Sequence, residues 1–214
     1  MDTAKEVGGD FYDFFLVGDK LGFVLADVSG KGIPAALFMM KSKTEIKNRM
    51  EQGGDLAQAF NRINVALCEN NDANMFVTVF AGVLDYKTGE LQFVNAGHNK
   101  PLFLHKGNYN WLEGRSGLPL ASFESAKYKA FTLQLQKDDI LFTYTDGVTE
   151  ATNAQQNFYS DHRLVTLMNT LTGEKDVQEL LKAVKKDVDA FAGGRSQADD
   201  ITMLAVRWNG PEKK

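Results

Sequence analysis

Residues 21–28 read LGFVLADV and stay apolar at nearly every position until Asp27. A run this short and this continuously apolar is a strand covered on both faces, so the fold must supply a layer on each side of it. The neighbouring segments offer those layers. Residues 11–17, FYDFFLV, form a preceding strand, and Gly18-Asp19-Lys20 makes the hairpin loop between the two. After Ser29-Gly30-Lys31-Gly32 a helix begins, with Pro34 in its first turn where a missing N–H costs nothing. It runs to about Met50, and Gly53-Gly54 breaks it. A second helix over 55–70 places Leu56, Phe60, Ile63 and Leu67 on one face, with Cys68 beside them as a buried small hydrophobe. Met39 and Met40 are expected in the core. Because their helix follows Asp27 directly, its packing is a candidate regulatory switch.

Further along, 75–85 and 90–96 form a hairpin around Tyr86-Lys87-Thr88-Gly89. Strands are expected at 101–105, 109–112, 127–135 and 139–145, helices at 161–171 and 176–191, and a last strand at 200–208. The last helix carries a stripe of Val177, Leu180, Leu181, Val184, Val188 and Phe191. Short hairpins make antiparallel sheet, and two amphipathic helix pairs each need a sheet face to cover. The expected class is α+β: a four-layer α/β/β/α sandwich, two stacked antiparallel sheets flanked by helix pairs. Strand and helix do not alternate, which disfavours a doubly wound parallel sheet. The 214 residues fit one domain, 1–214. The chain is strand-like by residue 7, so it reads as the C-terminal output module of a longer protein.

Charge narrows the function classes. With 28 acidic and 24 basic residues the net charge is −4, which disfavours a nucleic-acid binder. No apolar run approaches the roughly 20 residues of a membrane span. One cysteine forbids an internal disulfide. A cytoplasmic location follows, with any membrane anchor left to an upstream segment.

The acidic residues have a shared habit. Asp10 follows Gly8-Gly9, Asp27 ends the buried strand, Asp146 ends LFTYT before Gly147, and Asp199-Asp200 open the last strand. Taken singly these are a bulge, a turn and a charged strand end. Aspartate is a poor strand former and costly to bury unpaired. Two charges 4 Å apart at an effective dielectric of about 20 repel by roughly 4 kcal/mol. The only basic residue within these short motifs is Lys31. Divalent cations would relieve the repulsion, and all-oxygen ligands favour Mg²⁺ or Mn²⁺ over Zn²⁺. Spacing alone does not show that the aspartates converge.

Six segments in order, EVGGDFYDF, ADVSGKGIPAAL, FVTVFAGVLD, NAGHNKPLFL, LFTYTDGVTEA and ADDITMLAVR, resemble the PPM (protein phosphatase 2C-like) metal-dependent serine/threonine phosphatases, in their bacterial RsbU/SpoIIE branch. The resemblance runs from about Glu6 to Arg207. It implies that Asp27 bridges two Mn²⁺ or Mg²⁺ ions and that the Val28 carbonyl ligates the second. Asp146 and Asp199 match ligands of the first ion, with Asp200 as second choice, and Asp10 matches a direct or water-mediated ligand. It further implies hydrolysis of phosphoserine or phosphothreonine on a regulatory partner by a bridging hydroxide. Asp27, Asp146 and Asp199 are then the catalytic set.

In the branch resembled, the partner is often an anti-sigma-factor antagonist and the upstream segment a sensor or receiver domain. The chain departs from many eukaryotic members in having no His after the bridging Asp. His98 and Lys31 are candidates for assisting substrate or leaving group, against a loop hydrogen-bonding role for His98 and a solvated loop role for Lys31. His105 and His162 read as ordinary loop or surface residues. The alternatives are a catalytically silent protein-binding module of this fold and a small-molecule phosphohydrolase. Silent members would be expected to lose metal aspartates, and the chain has no Walker-type loop or Rossmann fingerprint.

Overall fold

The computed structural model describes residues 1–4 and 8–211. Glu6 and Val7, which open the first motif, lie outside the described residues. Among the described residues nine strands build two antiparallel sheets. The first contains β1 (Phe11–Val17), β2 (Lys20–Val28), β3 (Val77–Leu84), β4 (Glu90–Ala96) and β7 (Phe131–Gln134), in that order across the sheet. The second runs β6 (Asn108–Trp111), β5 (Leu102–His105), β8 (Ile140–Tyr144), β9 (Met203–Arg207). Helices α1 (Ile33–Glu51) and α2 (Leu56–Cys68) follow β2. A four-residue α3 (Asp146–Thr149), α4 (Asp161–Thr170) and α5 (Val177–Ala192) lie between β8 and β9.

Three apolar clusters make the layering explicit. Val24, Ala26 and Val28 of β2 and Val77, Val79 and Ala81 of β3 pack with Phe38, Ile46, Phe60, Ile63 and Leu67 of α1 and α2. On the opposite face Phe23 and Phe80 join Phe93, Leu141 and Trp208 between the sheets. Ile140, Phe142 and Tyr144 of β8 pack with Leu164, Met168, Leu180, Val184 and Val188 of α4 and α5. β2 therefore has apolar neighbours on both faces, as its continuous run requires. The expected four layers are present.

The differences lie where local pattern was weakest. The strand expected at 127–135 begins only at Phe131, because Tyr128 is drawn onto α2. Its backbone N–H donates to Asn61 Oδ1 at 3.0 Å and its hydroxyl to Asn64 Oδ1 at 3.1 Å. The last strand begins at Met203, leaving Asp199 and Asp200 in the preceding loop. The segment after Asp146, which reads as irregular, is the α3 turn. Met39 and Met40 separate: Met39 packs on the core, while Met40 is 57% exposed on α1 beside exposed Ile33 and Leu37. Cys68 is half-buried against the same core.

The aromatic layer between the sheets tolerates no added atoms. A Cβ on Gly82 would stand 2.5 Å from Phe23 Cζ and 2.9 Å from Leu91 Cδ1. Overpacking of this kind typically costs about 1–3 kcal/mol. Gly82→Ala is expected to lower the unfolding free energy by that amount in urea denaturation, with an unchanged slope.

Candidate metal centre

The pairing register brings the acidic positions to one end of the sandwich. In β1–β2 Phe11 stands opposite Ala26, so one step further Asp10 lies across from Asp27. In β8–β9 Tyr144 pairs with Met203, and beyond it Thr145 N–H donates to the Thr202 carbonyl at 3.0 Å. That places Asp146 beside the loop carrying Asp199. The two sheets are joined here through Thr145, which is fully buried: its hydroxyl donates to Asp10 Oδ2 at 2.8 Å and accepts from Thr202 N–H at 3.0 Å.

Two glycines permit the approach. A Cβ on Gly147 would lie 2.0 Å from the Asp200 carbonyl oxygen, so only glycine fits after Asp146. A Cβ on Gly8 would lie 2.3 Å from Asp200 Oδ2. On the other side, Ser29 accepts from Phe76 N–H through its hydroxyl at 2.9 Å and donates its own N–H to the Phe76 carbonyl at 2.9 Å. This pins the loop that follows Asp27.

The electrostatics are those of crowded acids. Burial raises the Asp27 carboxyl, and the charges of Asp10, Asp146 and Asp199 raise it further. Burial likewise raises Asp10, with the Asp200 charge adding to it against the hydrogen bond from Thr145. Asp10 and Asp27 also act on each other: the Asp10 charge raises Asp27, while Asp27 holds Asp10 down slightly. Asp146 is raised by burial, then by Glu150 and Asp199, with Lys31 opposing. Among the described residues, however, no three His, Cys, Asp or Glu side chains stand close enough to enclose an ion by themselves.

The donor set nonetheless fits a hard divalent cation. It is all oxygen, among the described residues no cation pairs with Asp10 or Asp27, and Mg²⁺-type ions bind through one or two carboxylates with water completing the shell. Val28 lines the same small hollow as Asp27, Asp199, Asp200, Gly9 and Gly30.

The adjacent Asp199 and Asp200 have different surroundings. Asp200 is buried and its carboxylate accepts from Ala4 N–H at 2.8 Å, Gly9 N–H at 2.9 Å and Asp10 N–H at 3.4 Å. Those bonds make Asp200 a backbone anchor for Asp10, and since it lines the same small hollow as Asp27 and Asp199 it stays in the candidate ligand set behind Asp199. Asp199 is half-exposed, accepting from Asp200 N–H at 2.9 Å through Oδ1 and pairing with Lys31 Nζ at 2.9 Å through Oδ2. Lys31 is an exposed loop residue, as expected, and is also the counter-ion of Asp199.

His98 is corrected as a leaving-group candidate. It is 4% exposed, burial lowers its pKa to about 4, and its Nδ1 bonds Thr78 Oγ1 at 2.8 Å. A neutral imidazole sealed behind β3 does not reach a substrate. His105 is also more than a surface residue, since its Nδ1 bonds the buried Asp139 carboxylate at 3.0 Å. Thr145 carries the sheet-to-sheet link and has no role in the sequence reading; a threonine directly between β8 and Asp146 is the available signal.

Beside Asp199 opens a cleft of about 300 Å³, lined by Lys31, Gly147, Glu150, Phe158 and Arg195 among others.

Two outcomes test this arrangement. A folded carboxyl whose pKa is raised keeps its proton above 3.8, where the unfolded chain has released it. Stability of the metal-free protein therefore falls as pH rises above that value, until the folded groups ionise. Asp27→Asn is expected to flatten this fall and to be more stable than the parent at neutral pH. Urea denaturation in a chelator from about pH 5 to about pH 8 reads it. Asp200→Ala leaves backbone N–H groups unsatisfied and is expected to cost at least about 2 kcal/mol. Asp199→Ala, measured alongside without metal, is expected to cost less than half as much.

Comparison with known proteins places these observations. The Stage II sporulation protein E (SpoIIE) family profile matches residues 18–209. Phosphoserine phosphatase RsbU of Bacillus subtilis is 33% identical over 205 residues, covering 95% of this chain and 60% of RsbU. Protein IcfG of Synechocystis is 30% identical over 237 residues, covering 97% of this chain and 37% of IcfG. The chain therefore spans well under two thirds of the length of these relatives. Among solved structures, the SiaA-PP2C domain of Pseudomonas aeruginosa superposes with a TM-score of 0.84 at 21% identity, covering 96% of this chain and 83% of that one. The PP2C phosphatase domain of SpoIIE from Bacillus subtilis gives 0.80 at 20% identity, covering 95% and 59%. These two likenesses show the shared fold.

Proposed function

The chain belongs to the SpoIIE family, and on that footing we propose that it is a metal-dependent protein serine/threonine phosphatase. The observation that carries the reading is the meeting of Asp10 and Asp27 from one sheet with Asp146 and Asp199 from the other, with the carboxyl groups of Asp10, Asp27 and Asp146 pushed upward by burial and mutual charge. A fold does not keep acids in that state for stability. The relative named a phosphoserine phosphatase supports the substrate class.

In this reading Asp10, Asp27, Asp146, Asp199 and the Val28 carbonyl would hold the divalent metal, with water completing its shell, since among the described residues no three acidic side chains enclose an ion by themselves. Mn²⁺ or Mg²⁺, when bound, supplies Lewis acidity that makes water nucleophilic near neutral pH and offsets phosphoryl charge. The chain's own residues do the positioning. Asp27 sits on the rigid end of β2, so its carboxylate is fixed relative to both sheets. Thr145 and Asp200 fix Asp10. Gly147 lets Asp146 close against the Asp200 backbone. The cleft beside Asp199 receives the phosphorylated segment, with Phe158 and Arg195 on its walls.

No histidine is placed to protonate the leaving serine or threonine oxygen, so water in the site delivers that proton. The partner is a phosphoprotein carrying phosphoserine or phosphothreonine on a segment extended enough to enter the cleft. Nothing favours the silent-module alternative, since every matched acidic position keeps its aspartate.

The test is turnover. With Mn²⁺ the domain is expected to release phosphate from a phosphoserine peptide, and Asp27→Asn and Asp146→Asn are each expected to lower kcat by about 10²-fold or more, the scale on which lost electrostatic stabilisation acts. Circular dichroism should show both variants folded. Absence of turnover with Mn²⁺ and Mg²⁺ alike would overturn the assignment.

A further inference from the structure

Lys31 joins the two loops that flank the site. It lies on the loop that links β2 to α1, three residues after the Val28 carbonyl. Its ammonium donates to the Ala198 carbonyl at 2.7 Å and pairs with Asp199 Oδ2 at 2.9 Å, both on the loop before β9. Among the described residues it is the one cation paired with any of Asp10, Asp27, Asp146 and Asp199. The other Asp199 oxygen is already engaged by the Asp200 N–H. A divalent cation that takes Asp199 as a ligand must therefore contend with Lys31 for Oδ2.

The contest is uneven. The two side chains are 43% and 45% exposed, so the pair is of the weak, solvent-screened kind. A divalent ion held also by Asp27 and Asp146 has twice the charge and more partners. We propose that Lys31 is a displaceable counter-ion: it occupies Asp199 Oδ2 and bridges the two loops until a divalent cation takes that oxygen. The ammonium then swings away, remaining on the wall of the cleft it already lines. Lys31 is a positioning residue in this scheme, keeping Asp199 neutralised and aimed while the site awaits its ion. The scheme rests on the metal-dependent reading above.

Lys31→Gln tests it, because the amide can still reach the Ala198 carbonyl while the charge is gone. Calorimetric titration of the folded domain with Mn²⁺ is expected to show about two- to fivefold tighter binding in Lys31→Gln, since an exposed pair is worth at most about 1 kcal/mol. Lys31→Arg, which keeps charge and donors, is expected to stay within about twofold of the parent. A separate readout removes the general effect of deleting a positive charge. In the parent, the Lys31 ammonium ¹H–¹⁵N signal is expected to be observable without metal and to shift or vanish as Mg²⁺ saturates the site. A Lys31→Gln affinity that is unchanged or weaker would overturn the proposal, as would an ammonium signal unmoved at saturating Mg²⁺. If the parent binds neither ion, the metal-dependent reading falls and takes this one with it; binding with an unmoved Lys31 sinks this one alone.

Discussion

The repulsion among acids gathered at one end of a two-sheet sandwich organises the rest of the structure. Asp10 and Asp27 come from neighbouring strands of one sheet, Asp146 and Asp199 from the margins of the other. Burial removes the water that would screen Asp10, Asp27 and Asp146, and the charges around them add to their reluctance to ionise. Such an assembly holds only if surrounding contacts outweigh the strain. Three hydrophobic layers supply the bulk of that excess, and they do so without depending on the site.

Local devices then determine where each acid points. The Thr145 hydroxyl crosses from the second sheet to Asp10, so the two sheets are registered by a polar bond as well as by packing. Gly147 allows backbone to touch backbone where α3 leaves Asp146. The Ser29–Phe76 exchange holds the loop that carries Lys31 toward the opposite wall. Each device uses a small or hydroxylated residue. Larger side chains would either block the approach or leave a buried polar group without a partner.

Much of this was readable in the chain, because its strongest signals are periodic. The unbroken run before Asp27 demanded cover on both faces, and α1, α2 and the inter-sheet aromatics provide it. What escaped depended on distant partners. Tyr128 has the composition of a strand residue, yet Asn61 and Asn64 on α2 claim it and delay β7 to Phe131. For His98 the sequence left a hydrogen-bonding role against reach of a substrate, and only the packing, which buries the ring against Thr78, decides for the first. Met40 fits a core pattern locally, but the rotation of α1 turns it outward. Convergence of the aspartates had no local signature and came from resemblance, not from spacing.

The Asp199-Asp200 pair shows why spacing could not have sufficed. Asp199 lies in a bend before β9, and the two adjacent side chains meet different surroundings: Asp200 is buried, while Asp199 is half-exposed at the cleft. Asp200 turns inward and is consumed by backbone N–H groups of the N-terminal segment, where a carboxylate satisfies several donors at once. Asp199 turns outward with one oxygen held by its neighbour and one by Lys31. The first is buried and fixed by the backbone it anchors, whereas the second is half-exposed and held by contacts that solvent screens. The doubled acid is thus a division of labour, with the buried residue fixing the frame in which the exposed one exchanges partners.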